Sequence, residues 1–75
     1  MIRFFTGPNC SACKVLKGQI DARGLTDQFK FIDVTVDHKE AMHYNIRGNL
    51  PVIVTEDMQY FLGKTDGIKL LNTLK

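Results

Sequence analysis

The apolar residues of the chain fall into segments whose spacing alternates between strand-like and helix-like. Three runs rich in aromatic and β-branched residues predict buried strands, at residues 2–5, 29–36 and 50–55. A fourth run at residues 58–62 follows the third after only Glu56 and Asp57. That spacing predicts a tight reversal and an antiparallel hairpin.

Between these strands, a first helix is predicted by apolar residues at intervals of three or four. Cys13, Leu16 and Ile20 lie on one face, and Gly24 after Arg23 provides a stop signal. The first turn of this helix is expected to hold both cysteines of the chain.

Two further helices are indicated by capping signals. Asp37 followed three residues later by Glu40 is a capping-box pattern, which predicts a short helix from residue 38 to about residue 44. Thr65 or Asp66 can cap a last helix. Its apolar face is supplied by Ile68, Leu70, Leu71 and Leu74.

The resulting order is βαβαββα, which predicts an α/β fold with a four-stranded mixed sheet and helices on both faces. Strand, helix and strand in succession indicate a parallel pairing of the first two strands. Because 75 residues are enough for one domain at most, residues 1–75 are predicted to form a single domain.

Charge and hydropathy exclude some classes of partner. The net charge of +2 arises from ten Lys and Arg residues against eight Asp and Glu residues, with no basic run, so neither nucleic acid nor membrane is expected as a partner. No apolar segment is long enough for a signal peptide or a spanning helix. We therefore expect a cytoplasmic monomer.

Cys10 and Cys13 are the residues best suited to chemistry. Residues three apart share one face of a helix, so the two sulfurs can reach bonding distance. Unpaired N–H groups and the helix dipole favour an anion at a helix start, and the thiolate is the reactive form of cysteine. A loop this short constrains little of the unfolded chain, so a purely structural disulfide is not expected, which leaves redox catalysis or metal binding.

Metal binding would use Cys10 and Cys13 with His38 and His43 as further ligands to zinc. The 24 residues between Cys13 and His38 exceed the usual finger spacing of roughly 12–15 residues, and they span a predicted helix and strand. Redox chemistry is therefore favoured, with no metal site, and both histidines are expected to be solvated. The alternative is a thioredoxin-like binding module that holds zinc or an iron–sulfur cluster through the two cysteines, within one chain or shared between two chains.

Two features of the sequence occur together in a specific combination. A Cys-x-x-Cys motif starts a helix after the first strand of a βαβ unit, and Pro51 stands at the head of a later strand. Over nearly its whole length the chain resembles a glutaredoxin-like protein of the thioredoxin superfamily. The resemblance implies a thioredoxin/glutaredoxin-like fold in which Pro51 is cis and faces the cysteines. It also implies that Leu50 offers backbone groups to an incoming peptide or to glutathione.

The same resemblance suggests roles for residues around the motif. Arg47, in an Ile-Arg-Gly run common before the cis proline of thioredoxins, would meet a substrate carboxylate. Thr65 and Asp66 would hold the γ-glutamyl end of glutathione. Supporting roles are expected for Pro8, which precedes the motif, for Gly63, which follows the hairpin, and for Lys14, whose ammonium would stabilise a thiolate.

The predicted function is thiol–disulfide exchange, in which Cys10 attacks a substrate disulfide and Cys13 resolves the mixed disulfide. No cofactor is expected, although glutathione is a candidate co-substrate. A disulfide-bearing protein would be the substrate, with ribonucleotide reductase suggested by the resemblance. Ser11-Ala12 replaces the Pro-Tyr frequent in glutaredoxins, and Asn49-Leu50 replaces Thr-Val. The electron donor, glutathione or a thioredoxin reductase, is therefore left open.

Overall fold

The computed structural model describes residues 1–74, and Lys75, the last residue of the predicted domain, lies outside them. The strands are β1 Ile2–Thr6, β2 Phe29–Asp33, β3 Val52–Val54 and β4 Tyr60–Leu62. The helices are α1 Ser11–Ala22, α2 His38–His43 and α3 Gly63–Leu74, and a turn of 3-10 helix at Thr26–Gln28 precedes β2. The chain therefore follows the predicted order of strands and helices.

The four strands form one mixed sheet in the order β2-β1-β3-β4. β1 pairs with β2 in parallel, with Phe4 opposite Phe31, and with β3 antiparallel, with Phe4 opposite Ile53. β3 and β4 pair antiparallel, as the hairpin predicts. This architecture is compatible with a thioredoxin-like fold.

Because successive side chains of a strand point to opposite faces, β1 contributes to two separate cores. Phe4 and Phe5 are both fully buried. Phe4 belongs to the larger core, which α1 and α3 cover with Cys13, Leu16, Ile20, Leu70 and Leu71. Phe5 belongs to the smaller core on the opposite face, together with Ile32, Tyr44, Val52 and Val54. The helices therefore lie on both faces of the sheet.

The contact between α1 and α3 is made at Gly67. A Cβ atom added to this residue would overlap Leu16 Cδ2 and would lie 3.2 Å from Leu16 Cδ1. The absence of a side chain at Gly67 therefore lets the two helices approach closely, with Leu16 filling the space between them.

β2 ends at Asp33, three residues before the predicted end, because a side chain starts a turn there. The Asp33 carboxylate accepts hydrogen bonds from the Thr35 N–H, at 2.8 Å, and from the Thr35 hydroxyl, at 2.6 Å. The same hydrogen bonds, that from the hydroxyl first, lower the pKa of Asp33 below its ordinary value. A short polar side chain that bonds to backbone two residues later is a common way to end a strand.

The predicted two-residue turn between β3 and β4 is wrong by one residue. The Thr55 N–H donates to the Gln59 carbonyl at 3.0 Å, and the Met58 N–H donates to the Thr55 carbonyl at 3.0 Å. Met58 has a φ of +64°, so the loop contains three residues and ends in a left-handed conformation. Both strands are consequently shorter than the predicted ranges of 50–55 and 58–62.

α2 is capped as predicted, since Asp37 Oδ1 accepts from the Glu40 N–H at 3.2 Å. The Glu40 carboxylate does not complete a capping box but accepts from Arg3 Nε at 2.7 Å. The Arg3 guanidinium also lies 4.9 Å from the centre of the Tyr44 ring. These contacts fasten α2 to β1.

α3 begins at Gly63, directly after β4, so Thr65 and Asp66 lie inside its first turn. The predicted capping position is therefore wrong by at least two residues. Gly63 has a φ of +82°, a conformation that favours glycine and permits the abrupt change from strand to helix. Within residues 1–74, no helix combines the length and apolarity that a bilayer crossing requires.

We expect Gly67→Ala to lower the free energy of unfolding by about 1–3 kcal/mol, because the new methyl group would displace Leu16 from a packed interface. Gly18→Ala is the matched control. Gly18 lies in α1, and a Cβ atom there would meet nothing within 4 Å. That change should raise the free energy of unfolding by about 0.5–1 kcal/mol. Urea denaturation of both variants measures the difference, and equal effects would contradict the packing described.

We expect Asp33→Asn to destabilise the protein near neutral pH more than at about pH 3. The pKa of Asp33 is lower in the folded protein than the value of about 3.9 for an unfolded chain. The ionised carboxylate therefore stabilises the fold above the unfolded pKa, and this contribution is lost as pH falls through the folded pKa. Urea denaturation at both pH values tests this. Asp27→Asn controls for the loss of one charge, because Asp27 is exposed and its side chain makes no hydrogen bond within residues 1–74.

Candidate functional site

Cys10 and Cys13 form a disulfide, with their Cα atoms 5.2 Å apart. The predicted proximity of the two sulfurs is therefore confirmed. Cys10 is the N-cap of α1 and not part of its first turn, which corrects the predicted start of the helix. Its Sγ accepts a hydrogen bond from the Cys13 N–H at 3.1 Å. The sulfur thus occupies the position that the helix N-terminus provides for an acceptor or an anion.

The two cysteines differ in their access to solvent. Cys13 is 3% exposed and belongs to the core cluster that contains Phe4 and Leu16. Cys10 is only partly buried and packs against the edge of that cluster. A reagent approaching from solvent would therefore meet Cys10 first, while Cys13 is covered by the body of the protein.

The turn that leads to Cys10 comes close to the segment before β3. A Cβ atom added to Gly7 would lie 3.0 Å from Leu50 Cδ1 and 3.8 Å from Val34 Cγ2. Asn9 adopts a φ of +60°, which Asn tolerates better than most residues. Pro8 is exposed between them. The small residue at position 7 therefore lets Leu50 pack beside the loop that carries Cys10.

The Leu50–Pro51 peptide bond is cis, as the resemblance implied. Pro51 is fully buried, whereas Leu50 is partly buried and packs against both cores. In the described part of the chain, the N–H and C=O groups of Leu50 make no backbone hydrogen bond. Within residues 1–74 these two groups therefore have no backbone partner, and their predicted binding role stays a prediction.

The start of α3 is joined to this segment by the Gly63 N–H, which donates to the Pro51 carbonyl at 2.9 Å. Thr65 is exposed and Asp66 is partly buried in the first turn that follows. A chain of contacts thus links the Cys10 loop, Leu50–Pro51 and the first turn of α3. The binding roles expected of Thr65 and Asp66 stay predictions.

Arg47 and Lys14 are both exposed. Arg47 Nε donates to Asn45 Oδ1 at 3.0 Å, and its side chain lines a cavity of about 350 Å³ that neither cysteine lines. Within residues 1–74, the ion pairs are Met1 with Glu56 and Arg3 with Glu40. Neither cation is therefore engaged by a carboxylate, and their predicted roles stay predictions.

His38 and His43 are exposed on α2, whereas Cys13 is buried in the core beneath α1. No group of three or more His, Cys, Asp or Glu residues in the described part of the chain is arranged to hold a metal ion. The four-ligand zinc site considered from the sequence is therefore not assembled within one chain.

Sequence reasoning missed two features of this region. It did not anticipate that the close approach of the Cys10 loop to Leu50 depends on Gly7. It also missed the surface made by Tyr60 and Leu62, which are 43% and 53% exposed beside the Arg47 cavity. Their spacing of two residues was the available signal, since it places both side chains on one face of a strand.

We expect Cys10 to be alkylated before Cys13 when the reduced protein is treated with iodoacetamide, because Cys13 is buried. Peptide mapping by mass spectrometry at successive times would measure the two rates. The same reaction in urea is the control, since unfolding should bring the rates close together. Equal labelling of the folded protein would contradict the difference in exposure.

Comparison of the sequence with protein-family models finds no match, and a search of curated proteins finds none. The interpretation of the site therefore depends on its own geometry. A pair of cysteines close enough for a disulfide, at the start of a helix in a mixed α/β fold, fits a redox function.

Proposed function

We propose that the protein is a thiol–disulfide oxidoreductase of the glutaredoxin-like kind. The observation that supports this most strongly is the unequal placement of the two bonded sulfurs. Cys10 is at the surface and at the N-terminus of α1, whereas Cys13 is buried one turn further along. Such an arrangement supplies one sulfur for attack on a substrate and one for intramolecular resolution.

In the first step, the Cys10 thiolate of the reduced protein attacks one sulfur of a substrate disulfide. A Cys10–substrate disulfide forms, and the other substrate sulfur leaves as a thiolate. The N–H groups at the start of α1, which include the Cys13 N–H now bonded to Cys10 Sγ, favour the attacking anion.

In the second step, the Cys13 thiolate attacks Cys10 Sγ. The Cys10–Cys13 disulfide forms, and the second substrate sulfur leaves as a thiolate. Two electrons have passed from the protein to the substrate, and two protons are taken up by the released thiolates as pH dictates. The structure corresponds to the oxidised product of this step.

Substrate would be held beside Cys10 by the free backbone groups of Leu50, which can pair with an extended peptide or with the cysteine of glutathione. For glutathione, the Thr65 hydroxyl and the Asp66 carboxylate are the candidate partners of the γ-glutamyl carboxylate and ammonium. Arg47, whose side chain lines a cavity that neither cysteine lines, stays a candidate partner for a substrate carboxylate.

The cycle closes when two molecules of glutathione, or the dithiol of a reductase, reduce the Cys10–Cys13 disulfide. We propose a disulfide-bearing protein as the substrate, with ribonucleotide reductase as the candidate that the resemblance suggests. A cytoplasmic location would suit this activity, since a reducing compartment keeps the donor thiols available.

We expect Cys10→Ser to reduce disulfide reduction to the uncatalysed rate, because the attacking sulfur is lost. Cys13→Ser should abolish turnover with a dithiol donor and accumulate the mixed disulfide, which mass spectrometry would detect. Reduction of insulin disulfides, with dithiothreitol or glutathione as donor, measures the rates. Ser11→Ala, an exposed residue between the cysteines, is the matched control and should keep the wild-type rate.

Retained activity in Cys10→Ser would remove Cys10 as the nucleophile. Activity of Cys13→Ser with glutathione alone would indicate a route that needs one cysteine. Stoichiometric zinc or iron in protein purified under reducing conditions, with no titratable thiols, would contradict the proposal and favour a metal-binding module.

A further inference from the structure

A cavity of about 350 Å³ lies beside β4 on the face of the sheet that α2 covers only in part. We call it the β4 groove, and its lining residues are Asn45, Ile46, Arg47, Asn49, Val52, Tyr60 and Leu62. α2 contains six residues and is fastened to β1 through Glu40 and Arg3. Because α2 is held near β1, it does not cover β4. The side chains of Tyr60 and Leu62 on β4 are 43% and 53% exposed.

One wall of the groove is fixed by a hydrogen bond. The Tyr60 hydroxyl donates to the Tyr44 carbonyl at 2.8 Å, across the space between β4 and the end of α2. Val52, opposite Leu62 in the sheet, is buried and forms the floor. A site whose walls are held in place before binding loses less entropy when a ligand is ordered on it.

β4 also offers unpaired backbone groups along the groove. In the hairpin, Thr55 bonds to Gln59 and Pro51 bonds to Gly63. Bonded pairs alternate in an antiparallel ladder, so Tyr60 and Leu62 occupy the non-bonded positions opposite Val54 and Val52. Their N–H groups, and the C=O of Tyr60, therefore point away from β3 to the open edge of the sheet, where β4 is the last strand.

The charge of the groove selects the chemistry of its occupant. Arg47 is its only charged lining residue among those described, and Asn45 Oδ1 accepts from the guanidinium Nε. The two terminal amino groups of the guanidinium face no carboxylate in residues 1–74. Guanidinium groups bind carboxylates in a planar, paired geometry, so an acidic side chain is the complementary group.

We propose that the β4 groove binds an extended acidic peptide segment of a partner protein. The segment adds to β4 as a fifth strand, bonded to Tyr60 and Leu62 backbone groups. It places one large apolar side chain against Leu62, at the open side of the groove, and a neighbouring Asp or Glu carboxylate on Arg47. This binding needs no redox step, so it stands or falls independently of the proposed activity.

A second copy of the chain fits the groove less well. A symmetric dimer built on β4 would place one groove against an identical one. Each would bring a cation and no acid, so the two surfaces are not complementary in charge. An acidic peptide supplies the missing charge.

The test uses the oxidised full-length protein and a displayed library of random seven-residue peptides. We expect selection to enrich peptides in which a large apolar residue and an Asp or Glu are two positions apart. In an extended strand, residues at that spacing lie on the same face. A synthetic peptide of the enriched sequence should bind at least about tenfold more weakly to Leu62→Lys. Selection on Arg47→Glu should instead enrich Lys or Arg at the acidic position.

Val36→Lys is the matched control, because Val36 is an apolar residue that is 80% exposed outside the groove. It should bind the peptide as the wild type does. Circular dichroism establishes that each variant is folded, and Arg47→Glu, in an exposed loop, provides the test if Leu62→Lys is not. Hydrogen exchange should show slower exchange of the Tyr60 and Leu62 amides when the peptide is bound.

The proposal would be overturned if the wild-type protein enriched no peptides over the support without protein, or if enriched peptides bound Leu62→Lys and Arg47→Glu unchanged. It would also be overturned if exchange of the two β4 amides did not slow. A concentration-dependent dimer of the wild type that is lost in Leu62→Lys, seen by sedimentation, would assign the groove to a second copy instead.

Discussion

The position of both cysteines depends on the contact between Leu16 of α1 and Gly67 of α3. Leu16 is fully buried, and it lies one turn beyond Cys13 on the same face of α1. If α3 carried a side chain at position 67, it would displace Leu16 from this contact, and the packing of α1, which carries Cys13, would change with it. A small domain buries a limited fraction of its surface, so it has few other contacts that could restore this arrangement.

Three segments that are distant in sequence meet around this packed unit. The loop at Gly7 approaches Leu50, and the Pro51 carbonyl accepts from the Gly63 N–H. The first contact needs a glycine at position 7, because a Cβ atom there would lie 3.0 Å from Leu50 Cδ1. The second is a backbone hydrogen bond whose donor, Gly63, has a φ of +82°. The region beside Cys10 therefore depends on a glycine at each of these two contacts.

The elements that could be predicted from the sequence are those fixed by local patterning. Runs of aromatic and β-branched residues specified β1 and β2, and the Asp37 cap specified the start of α2. The order of elements then left few compact topologies, so the mixed sheet and the placement of Cys10 at a helix start followed from short-range information. Local sequence does not decide whether an X-Pro bond is cis or trans, since tertiary contacts select the isomer. The cis state of Pro51 was therefore expected only from the resemblance.

The features that sequence reasoning missed are decided by particular hydrogen bonds and contacts, some within a turn and some between distant residues. Asp33 ends β2 early by bonding to Thr35, a choice that its propensities do not reveal. Met58 takes a left-handed conformation that lengthens the hairpin loop, although its residue type does not favour it. Arg47 lines the β4 groove, which neither cysteine lines, and its predicted role stays a prediction. In the sequence, Gly67 indicates only a residue that weakens a helix. The structure shows that Leu16 packs against it.

The burial of Cys13 also determines how the site responds to peroxide. An oxidant that reaches the reduced protein meets Cys10 first and converts its thiolate to a sulfenic acid. The Cys13 thiol lies within bonding reach of that sulfur, so it can displace hydroxide and close the disulfide with release of water. Ring closure therefore competes with irreversible formation of sulfinic acid, and the shielded sulfur protects the one that faces solvent.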